Sequence, residues 1–350
     1  MGVPVDYVYR HPLLLPIVWR PQGGALKKRV ENMTQVASKV DTPTASPKKQ
    51  KKVLVDRHGK RVLSLAIPRT LIWPAIVVAI ILTQIPFLAT IYFSTQRWNL
   101  LRPLDRGFVG FDNYIQVFTS GELAAALRAT ATITGTSVFL SLVLGLGLAL
   151  LLNRQFFGRS IARTLLITPF LVMPAAAALA WKWNLLDANF GLFKWLFQEL
   201  GLPVIQWNTD IPIVTVIMVL TWQFMPFMML ILLAGLQSQD REVLEAAQMD
   251  GASAFRIFTQ MTLPHLRQYI EIGVLLGAIL LLATFDPIAI LTGGSGGTKT
   301  LPVLLYEKAF IALEVGQAAA FGVVTVAITI VFAVLLLRSV FRIFSEQGVR

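Results

Sequence analysis

The chain has 350 residues, 55% of them hydrophobic and 14% charged, yet it carries 31 Lys and Arg against 19 Asp and Glu, a formal charge of +12. Soluble domains average about 25% charged and 45–50% apolar residues, so this composition excludes an ordinary water-soluble fold and points to a membrane protein. There is no Cys, and His11, His58 and His265 share no metal-ligand spacing; disulfide frameworks and thiol nucleophiles are excluded, and a bound catalytic metal has no support.

Residues 1–69 differ from everything after them, with 14 Lys and Arg against 4 Asp and Glu and a cluster of Lys48, Lys49, Lys51 and Lys52 behind the stretch DTPTASP. This reads as a basic, partly disordered tail, suited to anionic lipid or simply to fixing topology. Its apolar patch HPLLLPIVW is too short for a span or a signal-peptide core.

A helix needs about 20 apolar residues to cross a bilayer core of about 30 Å. Six segments qualify: Thr70 to Phe93, Thr130 to Leu152, Thr164 to Trp181, Ile211 to Ala234, Ile270 to Leu291 and Ala318 to Leu337. The expected fold is therefore all-α, an integral membrane bundle over residues 70–345, with an uncleaved first span. The tail holds +10 of the net charge, and residues 70–350 hold 17 Lys and Arg against 15 Asp and Glu. The charge is thus a local topology signal, and nucleic acid is not an expected partner. Segments 94–129, 182–210 and 292–317 together carry eight basic and eight acidic residues, while 153–163 has Arg154, Arg159 and Arg163 and the C-terminus has Arg338, Arg342 and Arg350. That asymmetry places both termini in the cytoplasm.

The segment 182–210 contains NFGLFKWLFQELGLP, in which Phe190, Leu192, Phe193, Leu196, Phe197 and Leu200 alternate with polar residues. A helix lying flat in the membrane interface is expected there, and periodicity does not separate that from packing on a partner chain. The inner segment 236–266 is too long and patterned for a plain connector. Ser238 and Asp240 are N-cap types, Gly251 is a C-cap type, and Ser253 opens a second short helix that Pro264 is expected to stop. Two short helices meeting at a glycine suit docking to a cytosolic partner.

In that loop Glu245-Ala246-Ala247, then Gly251, then Leu263-Pro264 resemble the EAA signature of binding-protein-dependent ABC importer permeases, with Asp250, Ala252, Ser253 and Phe258 in its usual surroundings. Met261 stands where the family commonly has Ile. The resemblance runs from about residue 70 to 345. It includes FVGFDNYIQVF before the second span and, after the fifth, a Thr-Gly-Gly segment, the aromatic pair Tyr306 and Phe310, and GQAAAFGVV. These last features are similar to the sugar-uptake branch, the maltose and glycerol-phosphate type. The flanks of the third and fourth spans, ITPFLVMPAAAALAWKW and LTWQFMPFMMLILLAGLQS, look most like sorbitol or mannitol permeases.

The resemblance implies a type I importer fold and a role as half of a translocation path, completed by a second homologous permease. It implies two copies of a cytosolic ATPase holding ATP and Mg, none of it bound by this chain, and a solute-binding protein outside the bacterial cytoplasmic membrane. Glu245, Ala246, Ala247, Asp250, Gly251, Ala252, Leu263 and Pro264 would form the ATPase-coupling element, with Glu245 facing a basic residue and Gly251 permitting the bend. A carbohydrate presents C–H faces and hydroxyls. Trp222 and Gln223, mid-way along the fourth span, are the preferred path-lining pair among the Trp, Gln and Thr residues of the spans. Asp286, before Pro287, is a third candidate, with capping of the broken backbone as its alternative.

Other classes fit less well. GGSGGTKT lacks phosphate-loop register, since Thr298 separates Gly297 from Lys299, and reads as a flexible outer loop. Gly145 and Gly147 lie in a span and follow no strand. A membrane enzyme needs a convergent set of polar groups in the spans, and an ion-driven carrier needs internal repeats and buried carboxylates; neither pattern is present.

Overall fold

The computed structural model describes residues 69–347, so the basic segment 1–69 lies, but for Arg69, outside the described residues. Helix α1 (Arg69–Ser94) is 26 residues long and holds Pro74 and Pro86 without breaking. At 1.5 Å per residue this is about 39 Å, enough to span. Its exit is locked by Asn113, at the start of α2 (Asp112–Thr119), which donates through Nδ2 to the Ser94 and Gln96 carbonyls at 2.8 and 2.9 Å. Between them Gln96–Arg97 (β1) and Gly107–Phe108 (β2) pair antiparallel.

Helix α3 (Glu122–Asn153) begins eight residues before the apolar segment expected at Thr130, because the polar start ELAAALRA is itself strongly helix-forming. It packs along α8 (Pro212–Gln237), the most enclosed span: 61% of its apolar window is buried, against 33% for α3 and 0% for α1. The crossing is close at Gly145, where a Cβ would lie 2.9 Å from both Met228 Cβ and the Met229 backbone nitrogen.

The third expected span is not one rod. Helix α4 (Arg159–Leu171) and α5 (Pro174–Ala180), the latter extended by a π turn over Trp181–Leu185, meet at a 100° bend. Pro174 opens α5, and the residue before a proline is pushed to extended geometry; Met173 accordingly has ψ 131°. Among the described residues five helices are long and apolar enough to cross a membrane, six if this bent pair counts as one span.

The amphipathic segment forms α6 (Leu192–Glu199), and part of its apolar face is covered by the chain itself. Phe193 and Phe197 lie 5.4 and 5.9 Å from the ring of Trp207, which opens the short α7 (Trp207–Asp210).

After α8 come α9 (Arg241–Met249) and α10 (Ala254–Ile257), which passes through a second π turn, Phe258–Thr262, into α11 (Leu263–Leu282). Pro264 therefore does not stop the helix. The Leu263 amide reaches back to the Phe258 carbonyl, and this wider turn lets the ring, one position later, sit where its missing N–H is not required. The fifth span ends at Leu282 rather than near Leu291; the chain breaks at residues 283–285 and resumes as α12 (Asp286–Leu291).

The glycine-rich segment, expected to be flexible, is a tight turn. Gly293, Gly294, Gly296 and Gly297 all have positive φ, Thr292 and Thr298 hydroxyls are 2.6 Å apart, and Thr298 is fully buried. Helix α13 (Leu301–Tyr306), a third π turn over Glu307–Ile311 and α14 (Val315–Gln347) complete the bundle. Gly316 of α14 is pressed on the Gln96 carbonyl and Asn113, with no room for a Cβ, and its amide donates to the Trp98 carbonyl at 3.1 Å. The end of α1, the β ribbon, α2 and the start of α14 are thus one cap.

Candidate functional site

The EAA loop is built by local capping. Asp240, not Ser238, caps α9: its Oδ1 accepts from the Glu242 amide at 3.0 Å. At the other end the Ala252 amide donates to the Ala247 carbonyl and the Gly251 amide to Gln248, both at 3.0 Å, which is a Schellman closure with Gly251 left-handed at φ +81°. No atom of the described residues lies within 4 Å of where a Gly251 Cβ would sit. Within this chain the need for glycine is therefore a backbone need and not a matter of space. Ser253 then caps α10, accepting from the Arg256 amide at 3.3 Å.

None of the α9 residues is buried. Glu245, Ala246 and Asp250 stand in solvent, while Ala247 and Ala252 are half-covered. Apolar residues are exposed around them: Val243, Met249 at 89%, Phe255 at 77%, and Leu263 beside the exposed Pro264. On the inner side, Ile257 is buried and Leu244 half-buried, yet a cavity of about 310 Å³ remains between α9, α10 and the ends of α3 and α8. The loop is thus internally rigid, loosely seated and apolar on its free face.

A hydrogen-bonded cluster that sequence reasoning missed anchors it. Ser238 Oγ lies 3.1 Å from His265 Nε2 and 2.8 Å from Tyr269 Oη, and His265 Nε2 is 3.2 Å from the Gly235 carbonyl. A Cβ on Gly235 would be 2.6 Å from the Tyr269 ring. The signal was present only as the i, i+4 spacing of His265 and Tyr269 on α11.

The path candidates are dispersed. Trp222 is half-buried, its ring 5.5 Å from Trp181 in an edge-to-face contact. Gln223 is 3% exposed; its Nε2 donates to the Val172 carbonyl at 3.1 Å, at the break between α4 and α5, and its Oε1 is buried without a partner among the described residues. Asp286 is exposed in the first turn of α12 and makes no hydrogen bond to either residue. Beside it Phe285 packs on Tyr306 at 4.9 Å, and Tyr306 stacks on Phe310 at 5.3 Å.

Residues 141–346 match the family of binding-protein-dependent transport system inner membrane components, a stretch that includes the C-terminal end of α3, the EAA loop and most of α14. The chain belongs to that family. A probable ABC transporter permease of Sinorhizobium fredii is 37% identical over 280 residues, 78% of this chain and 90% of that one. The trehalose transport system permease of Mycobacterium tuberculosis is 32% identical over 267 residues, covering 76% and 86%. The trehalose/maltose permease of Thermococcus litoralis is 32% identical over 271 residues, covering 77% and 91%. The crystal structure of a bacterial importer of alginate matches with a TM-score of 0.68 over 79% of this chain and 96% of that one, at 20% identity, and so shares its fold.

The permease is accordingly a multi-pass membrane protein and a transport component. Among the described residues, the bent pair α4–α5, the broken α11–α12 and the π turns over Trp181–Leu185 and Phe258–Thr262 are where its spans depart from regular helix. Such departures within membranes are tolerated where protein or a cavity re-satisfies the backbone, as Gln223 does for Val172.

Proposed function

We propose that the permease forms one half of the path of an ATP-driven carbohydrate importer and that a second, homologous permease forms the other half. The observation that carries the coupling role is the exposed, capped α9–α10 element, whose apolar Met249 and Phe255 stand largely uncovered among the described residues. It suits the cleft of a cytosolic ATPase, present in two copies and holding ATP and Mg. Glu245 lies on the free face, where a basic residue of the ATPase would orient the docked helix; an exposed pair contributes about 0–1 kcal/mol, so orientation outweighs strength. Rigid-body motion of the ATPases passes through Asp250, Gly251 and Ala252 to Leu263-Pro264 and α11.

The second permease is supported by α1, a span whose apolar window finds almost no cover among the described residues. Both termini lie in the cytoplasm in this reading, following the basic loops. An outer solute-binding protein delivers the solute; in the alginate importer such a periplasmic protein is seen in complex with its transporter.

The solute class follows from the trehalose and trehalose/maltose relatives together with a sulfoquinovosyl glycerol permease of Agrobacterium fabrum, 30% identical over 284 residues. Trp222 supplies an apolar face, and the unpartnered Oε1 of Gln223 supplies an acceptor for a hydroxyl. Asp286 lies beside the Phe285, Tyr306 and Phe310 stack, where solute would pass at the mouth of the path. The test is ligand binding by the cognate outer binding protein, screened over disaccharides, sorbitol, mannitol and glycerol phosphates. A carbohydrate ligand supports the reading, sorbitol or mannitol narrows it to polyols, and a non-carbohydrate ligand refutes it. Purified permease without its ATPase is expected neither to hydrolyse ATP nor to move solute.

A further inference from the structure

The last residue of α3, Asn153, the first turn of α4, with Arg159, Ser160 and Arg163, the last residue of α8, Gln237, and the first of α9, Arg241, line one cavity of about 430 Å³. Three of these six side chains are guanidiniums, and none of the three forms an ion pair among the described residues. Two are ordered by a neutral group. With its amide oxygen turned toward them, Gln237 accepts from Arg159 Nη2 at 2.8 Å and Arg163 Nη2 at 3.1 Å. The oxygen holds both guanidiniums in place and neutralises neither, and Arg163 Nε stays buried without a partner among the described residues. The Ser160 and Ile161 amides in the same turn have no backbone acceptor among the described residues, which adds the positive end of the α4 dipole.

Like charges held together with no counter-charge are costly unless an anion completes them. Arginine forks match phosphate oxygens, and helix starts bind the same groups. The level of the cavity indicates which phosphate. It sits where three apolar helices begin or end, hence at the headgroup layer of the bilayer. Apolar residues are exposed along the same stretch: Phe156 and Phe157 just before α4, then Ile161 and Leu165 on its outward side. A free anion has no use for that surface, whereas a phospholipid has acyl chains to lay against it.

We propose that this cavity is a binding site for the phosphate of an anionic phospholipid on the side of the membrane that bears the EAA loop. Because Arg241 opens α9, the bound headgroup ties the start of the EAA element to the ends of α3, α4 and α8. The site requires that the chain be a membrane permease, and it is independent of which solute is carried.

The test uses the assembled transporter in phosphatidylcholine nanodiscs with and without phosphatidylglycerol, reading retained lipid by native mass spectrometry. Wild type is expected to retain phosphatidylglycerol selectively. Each of Arg159→Gln, Arg163→Gln and Arg241→Gln is expected to weaken retention about fivefold, the effect of one cation near a charged bilayer surface. Added inorganic phosphate should not displace the lipid. Equal retention of the two lipids by wild type, unchanged selectivity in the variants, or displacement by inorganic phosphate each overturns the proposal. If a variant at Arg159 or Arg163 fails to assemble, the wild-type preference and the exposed Arg241→Gln still decide it. Carbohydrate transport in phosphatidylcholine alone tests the permease reading separately.

Discussion

Replacing Gly251 separates two reasons for a glycine at the heart of the EAA loop. Its φ of +81° lies where an L side chain costs about 1–2 kcal/mol, and no atom of the described residues lies within 4 Å of the missing Cβ. The penalty is therefore set by the backbone and is independent of side-chain size: Gly251→Ala, Gly251→Ser and Gly251→Leu should cost nearly the same. Relief of the strain would open the Schellman bonds from Gly251 to Gln248 and from Ala252 to Ala247, and would turn α10 away from its course into α11. If only the closed form docks, 1–2 kcal/mol becomes about a 5–30-fold loss in affinity for the ATPase. Gly251→Asn should be milder, since Asn tolerates the left-handed region. The assay is titration of the cognate ATPase onto permease in nanodiscs, paired with solute-stimulated ATP hydrolysis. A penalty that grows from Ala to Leu would show that the docked partner's surface, not the backbone, excludes the side chain. A wild-type Gly251→Ala would refute the reasoning altogether.

Four further outcomes are expected. Glu245→Gln should weaken ATPase docking by no more than about fivefold, while Glu245→Lys, which places like charges together, should uncouple hydrolysis from transport without blocking insertion; a fully active Lys variant would remove the residue from the interface. Gln223→Leu leaves the Val172 carbonyl unpaired at the α4–α5 break, so the solubilised permease should lose about 1–3 kcal/mol of stability in a denaturant titration. Gly145→Val forces atoms into Met228 and the α8 backbone and should cost a similar ~1–3 kcal/mol, read as a lowered unfolding temperature. Deleting residues 1–60 should leave transport in proteoliposomes largely intact, and its loss would assign the tail a direct part in transport.

What was legible in the sequence was what is determined locally. Apolar length alone identified α1 and α8, and the EAA loop could be read residue by residue because its caps, Asp240, Gly251 and Ser253, act within one turn. What was not legible depended on distant partners. The break after Leu171 is held by Gln223, whose Nε2 donates to the Val172 carbonyl 51 residues away, a backbone role that the sequence does not reveal. The fifth span ended early because Asp286-Pro287 starts a new helix, although hydropathy runs on to Leu291. Pro264 was misjudged for a different reason: whether a proline stops a helix depends on the turn before it, and a π turn is invisible in periodicity. The glycine run looked flexible because four glycines favour that reading until Thr298 is seen buried beneath them.

These departures bear on how motion crosses the membrane. A straight, fully bonded span transmits force but has nowhere to bend, whereas an irregular span can bend where its regular ladder is interrupted. Gln223 holds the Val172 carbonyl at the α4–α5 bend, and the Phe258–Thr262 turn lies directly between the EAA element and α11. Bistable elements, rather than continuously deformable ones, are what small displacements at one site can switch. The cavities of about 310 and 430 Å³ beneath and beside α9 leave the EAA element room to shift against the bundle, while the Ser238, His265 and Tyr269 cluster fixes its hinge to α8 and α11. Movement of α9 is therefore expected to reach α11 through the π turn first, and the α4–α5 bend through α8 and Gln223 second.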